Sequence, residues 1–232
     1  MLTKPSSLTL AGVTLALTAT LALAHGDVAP QAVDTAGLPA VGEEWLTENP
    51  YRAEAAGEEV WAKAVAIGDS GYNQNCARCH GLGVVSGGLA PDLRFLEAEE
   101  FGDEWFIERF RFGYTQNGTT KMPAFGELLG QEAAWAIRTY VESRPDTDQI
   151  EELTGELTAL RDQLVSMAEG GEGDAQAIHD ELTEVAGGIE TLSGAPVADS
   201  IARRAALILE AGGDNAYAKA AETLTIGLSA AH

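Results

Sequence analysis

The sequence predicts an all-α protein, and three observations carry that prediction. From Ile150 onward, apolar residues recur at three- and four-residue steps, the period of one helix face. Before that, residues 53–67, 68–76, 105–112 and 131–143 read as helices parted by glycine- and proline-bearing breaks. No βαβ alternation surrounds the one cysteine pair, Cys76 and Cys79.

Taken in order, residues 1–24 read as a signal peptide. Lys4 supplies the charged start, residues 8–23 form an apolar run, and Ala22-Leu23-Ala24 fits small-x-small cleavage. That run is short for a helix that must span a bilayer. Cleavage after Ala24 leaves a mature chain starting at His25, released into the bacterial periplasm, with no later segment apolar enough to cross a membrane. Residues 25–66 are rich in Gly, Pro and Glu and read as an N-terminal extension, whose 53–67 helix packs on the domain over residues 67–145. Gly68-Asp69-Ser70 opens the next helix, with Asp69 or Ser70 as its cap.

That helix leads into Cys76-Ala77-Arg78-Cys79-His80, the C-x-x-C-H pattern for covalent attachment of a c-type haem. Two thiols three residues apart on one turn can each form a thioether with a haem vinyl group, and the next residue offers an imidazole to the iron. A thioredoxin-like pair would need a βαβ setting, and a zinc site would need a second ligand pair; neither is present. A structural disulfide is the remaining plain reading. Haem c is attached after export, so the signal peptide and the motif agree.

The second axial ligand emerges by elimination. Once Met1 leaves with the signal, Met122 and Met167 are the remaining methionines. Met167 continues a helical stripe and reads as core; the remaining histidines are His25, His179 and His232, of which His179 and His232 read as surface residues. Met122 lies 42 residues after His80 in a loop where Pro123 stiffens the backbone and Asn117-Gly118 allows a tight turn. A thioether is a soft ligand suited to haem iron; the plain alternative is a gap-filling core methionine. Gly81, Gly83, Gly87 and Gly88 mark a flexible loop after the motif. In the 105–112 helix, Phe106, Phe110 and Phe112 could line a haem pocket, and Arg109 and Arg111 could pair with its propionates.

The chain carries 36 acidic and 14 basic residues, a formal net charge of −22. That charge argues against nucleic acid and anionic lipid as partners. It serves either as a solvated surface or as an acidic docking face for a partner with a basic patch.

Cys76 to His80, Ala90-Pro91-Asp92-Leu93, Met122-Pro123-Ala124-Phe125 and the aromatic-bearing helix over 131–143 together resemble class I c-type cytochromes. The resemblance implies a class I cytochrome c fold over residues 67–145. The haem-motif helix would cross the later helix at Tyr72, and Trp135, Ile137, Tyr140 and Val141 would supply the packing. It also implies that the Pro91 carbonyl accepts the proton on the other nitrogen of His80, fixing its tautomer. The segments 25–34, Glu43-Glu44-Trp45, Asn49-Pro50-Tyr51-Arg52 and 72–76 more closely resemble PedF-type periplasmic cytochromes of quinoprotein alcohol oxidation. That resemblance covers about residues 25–144. It implies a pyrroloquinoline-quinone (PQQ) alcohol dehydrogenase as electron donor, and a terminal oxidase or another cytochrome as acceptor. The rival readings are a small haem peroxidase or gas-binding protein, which would need Met122 off the iron, and an interaction module whose C-terminal helices dock a redox partner.

Pro145-Asp146-Thr147-Asp148 marks a boundary, and residues 146–232 read as a helical C-terminal extension. One stripe runs through Ile150, Leu153, Leu157, Leu160, Leu164 and Met167, a second through Ile178, Leu182, Val185, Ile189 and Leu192. Two Ala-rich stretches come next, parted by Gly212-Gly213-Asp214-Asn215. The first stripe is short for a coiled coil, so a helical hairpin or four-helix bundle is expected. A chain ending near Ser143 is expected to keep its haem and its reduction potential.

Overall fold

The computed structural model describes residues 30–230. The expected signal peptide, His25 and His232 lie outside the described residues. The described chain is almost wholly helical: α1 (Ala53–Ala56), α2 (Glu58–Asn75), α3 (Ala77–His80), α4 (Glu100–Phe112), α5 (Gly126–Glu142), α6 (Thr147–Glu152), α7 (Thr154–Ala168), α8 (Ala175–Gly188), α9 (Ile201–Ala211) and α10 (Ala216–Ala230). Between α4 and α5 stands a small antiparallel hairpin, β1 (Tyr114–Gln116) and β2 (Thr119–Met122).

The pair α2 and α5 forms the centre of the first half. The sequence places a helix start at Gly68-Asp69-Ser70, but α2 runs unbroken through these residues and through position 66. Gly68 is there for a different reason. A Cβ at this position would run into the carbonyl of Ala136 and lie 2.8 Å from Cβ of Tyr140. The missing side chain lets the two helices touch backbone to backbone. One turn later Tyr72 meets Tyr140 with ring centroids 5.5 Å apart, at the crossing that the family resemblance implies. Trp135, Ile137 and Val141 are fully buried here. Regular helix in α5 begins at Gln131, after a break at Gly130, where the sequence starts it. The helix expected over 105–112 begins earlier, at Glu100.

A buried polar cluster ties the N-terminal segment to α5 and α4. Arg52 bridges Asp103 and Glu142, each at 2.7 Å, and Arg138 reaches Asp103 at 2.8 Å. Asn49 donates to Thr139 and to Glu142, and its backbone N–H donates to Asp103. Two cations face two anions, so the buried set is neutral as a unit, the condition under which such groups are tolerated.

After Ser143 a second core forms. Leu157, Leu160 and Leu164 of α7, Ile178, Leu182 and Val185 of α8, and Leu224 and Leu228 of α10 bury together with the alanines of α9. Helix α10 packs on α7 and α9, and α8 packs on α9, a four-helix arrangement. The first stripe is divided between α6 and α7 at Leu153, and Ile189 joins the core from extended backbone after α8 ends. Leu192 lies beyond the helix.

Replacing Gly68 with Ala should force α2 away from α5. We expect a loss of about 2 kcal/mol, the size of an overpacked core, read as a fall in melting temperature of roughly 4–8 °C. An unchanged melting temperature would mean that the crossing is not held this close in solution.

Candidate functional site

Three local devices bring the chemistry-bearing residues together. The first is α3, a single turn directly after α2 that carries Cys76 at its start and ends on His80. His80 is buried, and its Nδ1 lies 2.9 Å from the carbonyl oxygen of Pro91. A carbonyl only accepts, so Nδ1 carries the proton and Nε2 keeps its lone pair. Tyr72 closes the turn by donating to the carbonyl of Gly81 at 2.8 Å.

The second device is the loop 86–94. Ser86 donates to the carbonyl of Ala90, and Asp92 receives the backbone N–H groups of Ser86 and Arg94 as well as the Arg94 guanidinium. Burial alone would raise the Asp92 carboxyl, but the bonds from Arg94 and Ser86 outweigh it and hold the group below its ordinary value.

The third is the hairpin. Asn117 and Gly118 both take positive φ, 51° and 75°, the turn that matches the twist of paired strands. The sequence shows the turn but not the short strands, whose side chains are nearly all exposed. Gly113, at φ 67°, ends α4 so close to β2 that a Cβ would strike the carbonyl of Met122. The N–H of Phe125 then bonds the carbonyl of Phe110 at 2.8 Å.

These devices surround one cavity of about 870 Å³, within the roughly 300–1,000 Å³ of ordinary cofactor sites. Cys76, Cys79, His80, Pro91 and Met122 all line it. Phe106 and Phe110 form part of its wall, as expected, but Phe112 does not; it is 68 % exposed, and Phe125 takes its place. The register of α4 explains this: Phe106 and Phe110 are four residues apart on one face, and Phe112 falls on another. Arg109 lines the cavity, stacked between the rings of Trp105 and Tyr114. Arg111 does not line it and lies over Trp45. Met167 packs on the second core and His179 pairs with exposed Asp180, both away from the cavity.

Charge at the cavity is not what the composition suggests. Arg78, Arg109 and Lys121 line it, and no Asp or Glu does among the described residues. An acidic docking face, if used, therefore lies elsewhere than this mouth. The Cys76 thiol also does not resemble the attacking thiol of a redox pair. Burial, with Cys79 beside it, pushes the Cys76 thiol up to about 12, whereas a reactive C-x-x-C lowers its thiol. Among the described residues no group of three or more His, Cys, Asp or Glu is placed to hold a metal ion. The donor set left for a cofactor is two thiols, an imidazole and a thioether, which fits a covalently held haem.

Comparison with known proteins agrees in kind. Residues 63–141 match the family model described as cytochrome c oxidase, cbb3-type, subunit III. The chain is 55 % identical over 136 residues to cytochrome c550 of Pseudomonas aeruginosa, covering 59 % of this chain and 90 % of that relative. It is 36 % identical over 99 residues to the quinohemoprotein alcohol dehydrogenase ADH IIB of Pseudomonas putida and 32 % identical over 81 residues to ADH-IIG of the same species. Those stretches make up 43 % and 35 % of this chain but 13 % and 11 % of the two dehydrogenases. No solved structure matches the chain significantly.

Asp92 gives this site a pH signature. Its carboxyl is held low in the folded state, so its contribution is present above the unfolded value of about 3.9 and is lost as pH falls through the lower, folded value. Asp92→Asn should remove that part of the acid sensitivity. The wild type should therefore lose more stability than the variant between neutral pH and acid denaturation. Equal pH dependence of the two proteins would contradict the assignment.

Proposed function

Because the chain belongs to the family of c-type cytochromes, we propose that it is a periplasmic one-electron carrier holding a single haem c. Cys76 and Cys79 would bond the haem covalently, and His80 and Met122 would be the protein ligands of its iron. The observation that carries this reading is that all four side chains converge on one cavity although Met122 is far from the others in sequence. When bound, the haem supplies a one-electron change between ferric and ferrous iron. Held by a Met/His pair, such an iron would leave no place for a substrate and would have a raised potential, as suits an electron carrier.

The chain's own residues do the rest. The Pro91 carbonyl fixes the Nδ1 proton of His80, leaving Nε2 as donor. Phe106, Phe110 and Phe125 exclude water, which strengthens charge interactions inside. Arg78, Arg109 and Lys121 provide positive charge for the haem carboxylates. Among the described residues no helix is long and apolar enough to cross a membrane.

As donor we propose a PQQ-dependent alcohol dehydrogenase, and as acceptor a terminal oxidase or another cytochrome. Support for the donor is the segmental similarity to two quinohemoprotein alcohol dehydrogenases.

Two measurements test this reading. Oxidised protein should show the weak red charge-transfer band of an iron–thioether bond, and Met122→Ala should abolish it and open the ferrous iron to carbon monoxide. A variant that keeps the band, or a wild type that binds carbon monoxide readily, would remove Met122 from the iron. For the partner, reduced PQQ alcohol dehydrogenase mixed with ferric protein in a stopped-flow instrument should reduce it. The absence of transfer at every ionic strength would discard this donor and leave the carrier role intact.

A further inference from the structure

The helices after residue 146 have no part in the function proposed above, yet they are bonded to the loop that serves His80. Thr147, the first residue of α6, accepts a hydrogen bond at Oγ1 from Nη1 of Arg94, 2.9 Å away. The same guanidinium grips the Asp92 carboxylate at both oxygens, at 3.0 Å from Nε and 2.7 Å from Nη2. Asp92 follows Pro91, whose carbonyl takes the Nδ1 proton of His80 at 2.9 Å. Arg94 is 6 % exposed, so these bonds work at low dielectric and stiffen one another. Other contacts hold the same junction. Ala98 N–H donates to the Ser193 carbonyl at 2.9 Å, Ala198 N–H to the Ser143 carbonyl at 3.2 Å, and Ser193 Oγ to the Glu142 carbonyl.

We propose that Thr147 and Arg94 are positioning residues for His80: the C-terminal helical region clamps the Arg94–Asp92 pair and thereby sets how firmly the Pro91 carbonyl holds the imidazole. This rests on the haem reading above. A carbonyl fixed in line with Nδ1–H increases the donor strength of the ring and favours ferric iron. Loosening the clamp weakens the donor and raises the reduction potential. The clamp also revises the expectation that a chain ending near Ser143 keeps its potential, since Thr147 lies beyond that end.

The test uses full-length holoprotein carrying Thr147→Val, Thr147→Ser or Arg94→Met, with Thr183→Val on α8 as a distant control. The readouts are the reduction potential and the solvent exchange of the His80 Nδ1 proton, followed by proton NMR in the ferrous state. Thr147→Val and Arg94→Met should shift the potential upward. They should also speed exchange about tenfold, the fold-change matching one lost hydrogen bond of ordinary strength. Thr147→Ser, which keeps the hydroxyl, and the control should match the wild type. A merely structural contact would lower the melting temperature and leave both readouts alone, and that result would overturn the proposal. If Arg94→Met does not mature, the Val and Ser variants at Thr147 decide by themselves. A wild-type spectrum without a His-coordinated low-spin haem would overturn the carrier reading, and this proposal with it, before any variant is compared.

Discussion

The close crossing of α2 and α5 is the constraint on which the rest of the site depends. Gly68 lets the helices meet at backbone distance, and Tyr72 and Tyr140 fill the space one turn on. Because α2 runs directly into the turn with Cys76, Cys79 and His80, its angle on α5 sets where those side chains point. A small shift at the crossing would be carried down a rigid helix to the cavity, since packed interiors transmit strain rather than absorb it. The buried ion cluster of Arg52, Asp103, Arg138 and Glu142 fixes the same stretch of α5 to α4 and to the N-terminal segment.

The parts legible in the sequence are those whose cause is local. The C-x-x-C-H spacing lies within one turn, Asn117-Gly118 names its own turn type, and the stripes of the C-terminal helices keep a fixed period. The parts hidden from it depend on pairs distant along the chain. Arg52 meets Glu142 across 90 residues and Arg94 meets Thr147 across 53, and nothing at either end of such a pair marks its partner. Gly68 shows the same limit: a glycine beside Asp and Ser suggests a helix start by local rules, whereas its role is set by Ala136. Residue type alone groups Phe112 with Phe106 and Phe110, although its position on α4 turns it away.

Charge illustrates how a total can hide a pattern. A net charge of −22 describes the whole chain, but the residues around the cavity are cationic where charged at all. A molecule of this kind repels an acidic partner at long range and can still attract it at one spot. Salt then affects approach and docking in opposite senses, because screening removes distant repulsion while contact pairs are partly shielded from it.

The cavity has two unlike walls. On the His80 side the imidazole itself is buried and bonded to the Pro91 carbonyl, and buried Arg94 holds the neighbouring Asp92. On the Met122 side stands a hairpin of seven strand residues, six of them exposed, with little apolar surface to keep it shut. Free energies of local opening follow such differences in burial. The thioether therefore hangs from a strand pair with little buried surface of its own, whereas the imidazole is held through a carbonyl whose neighbour Asp92 is gripped by buried Arg94.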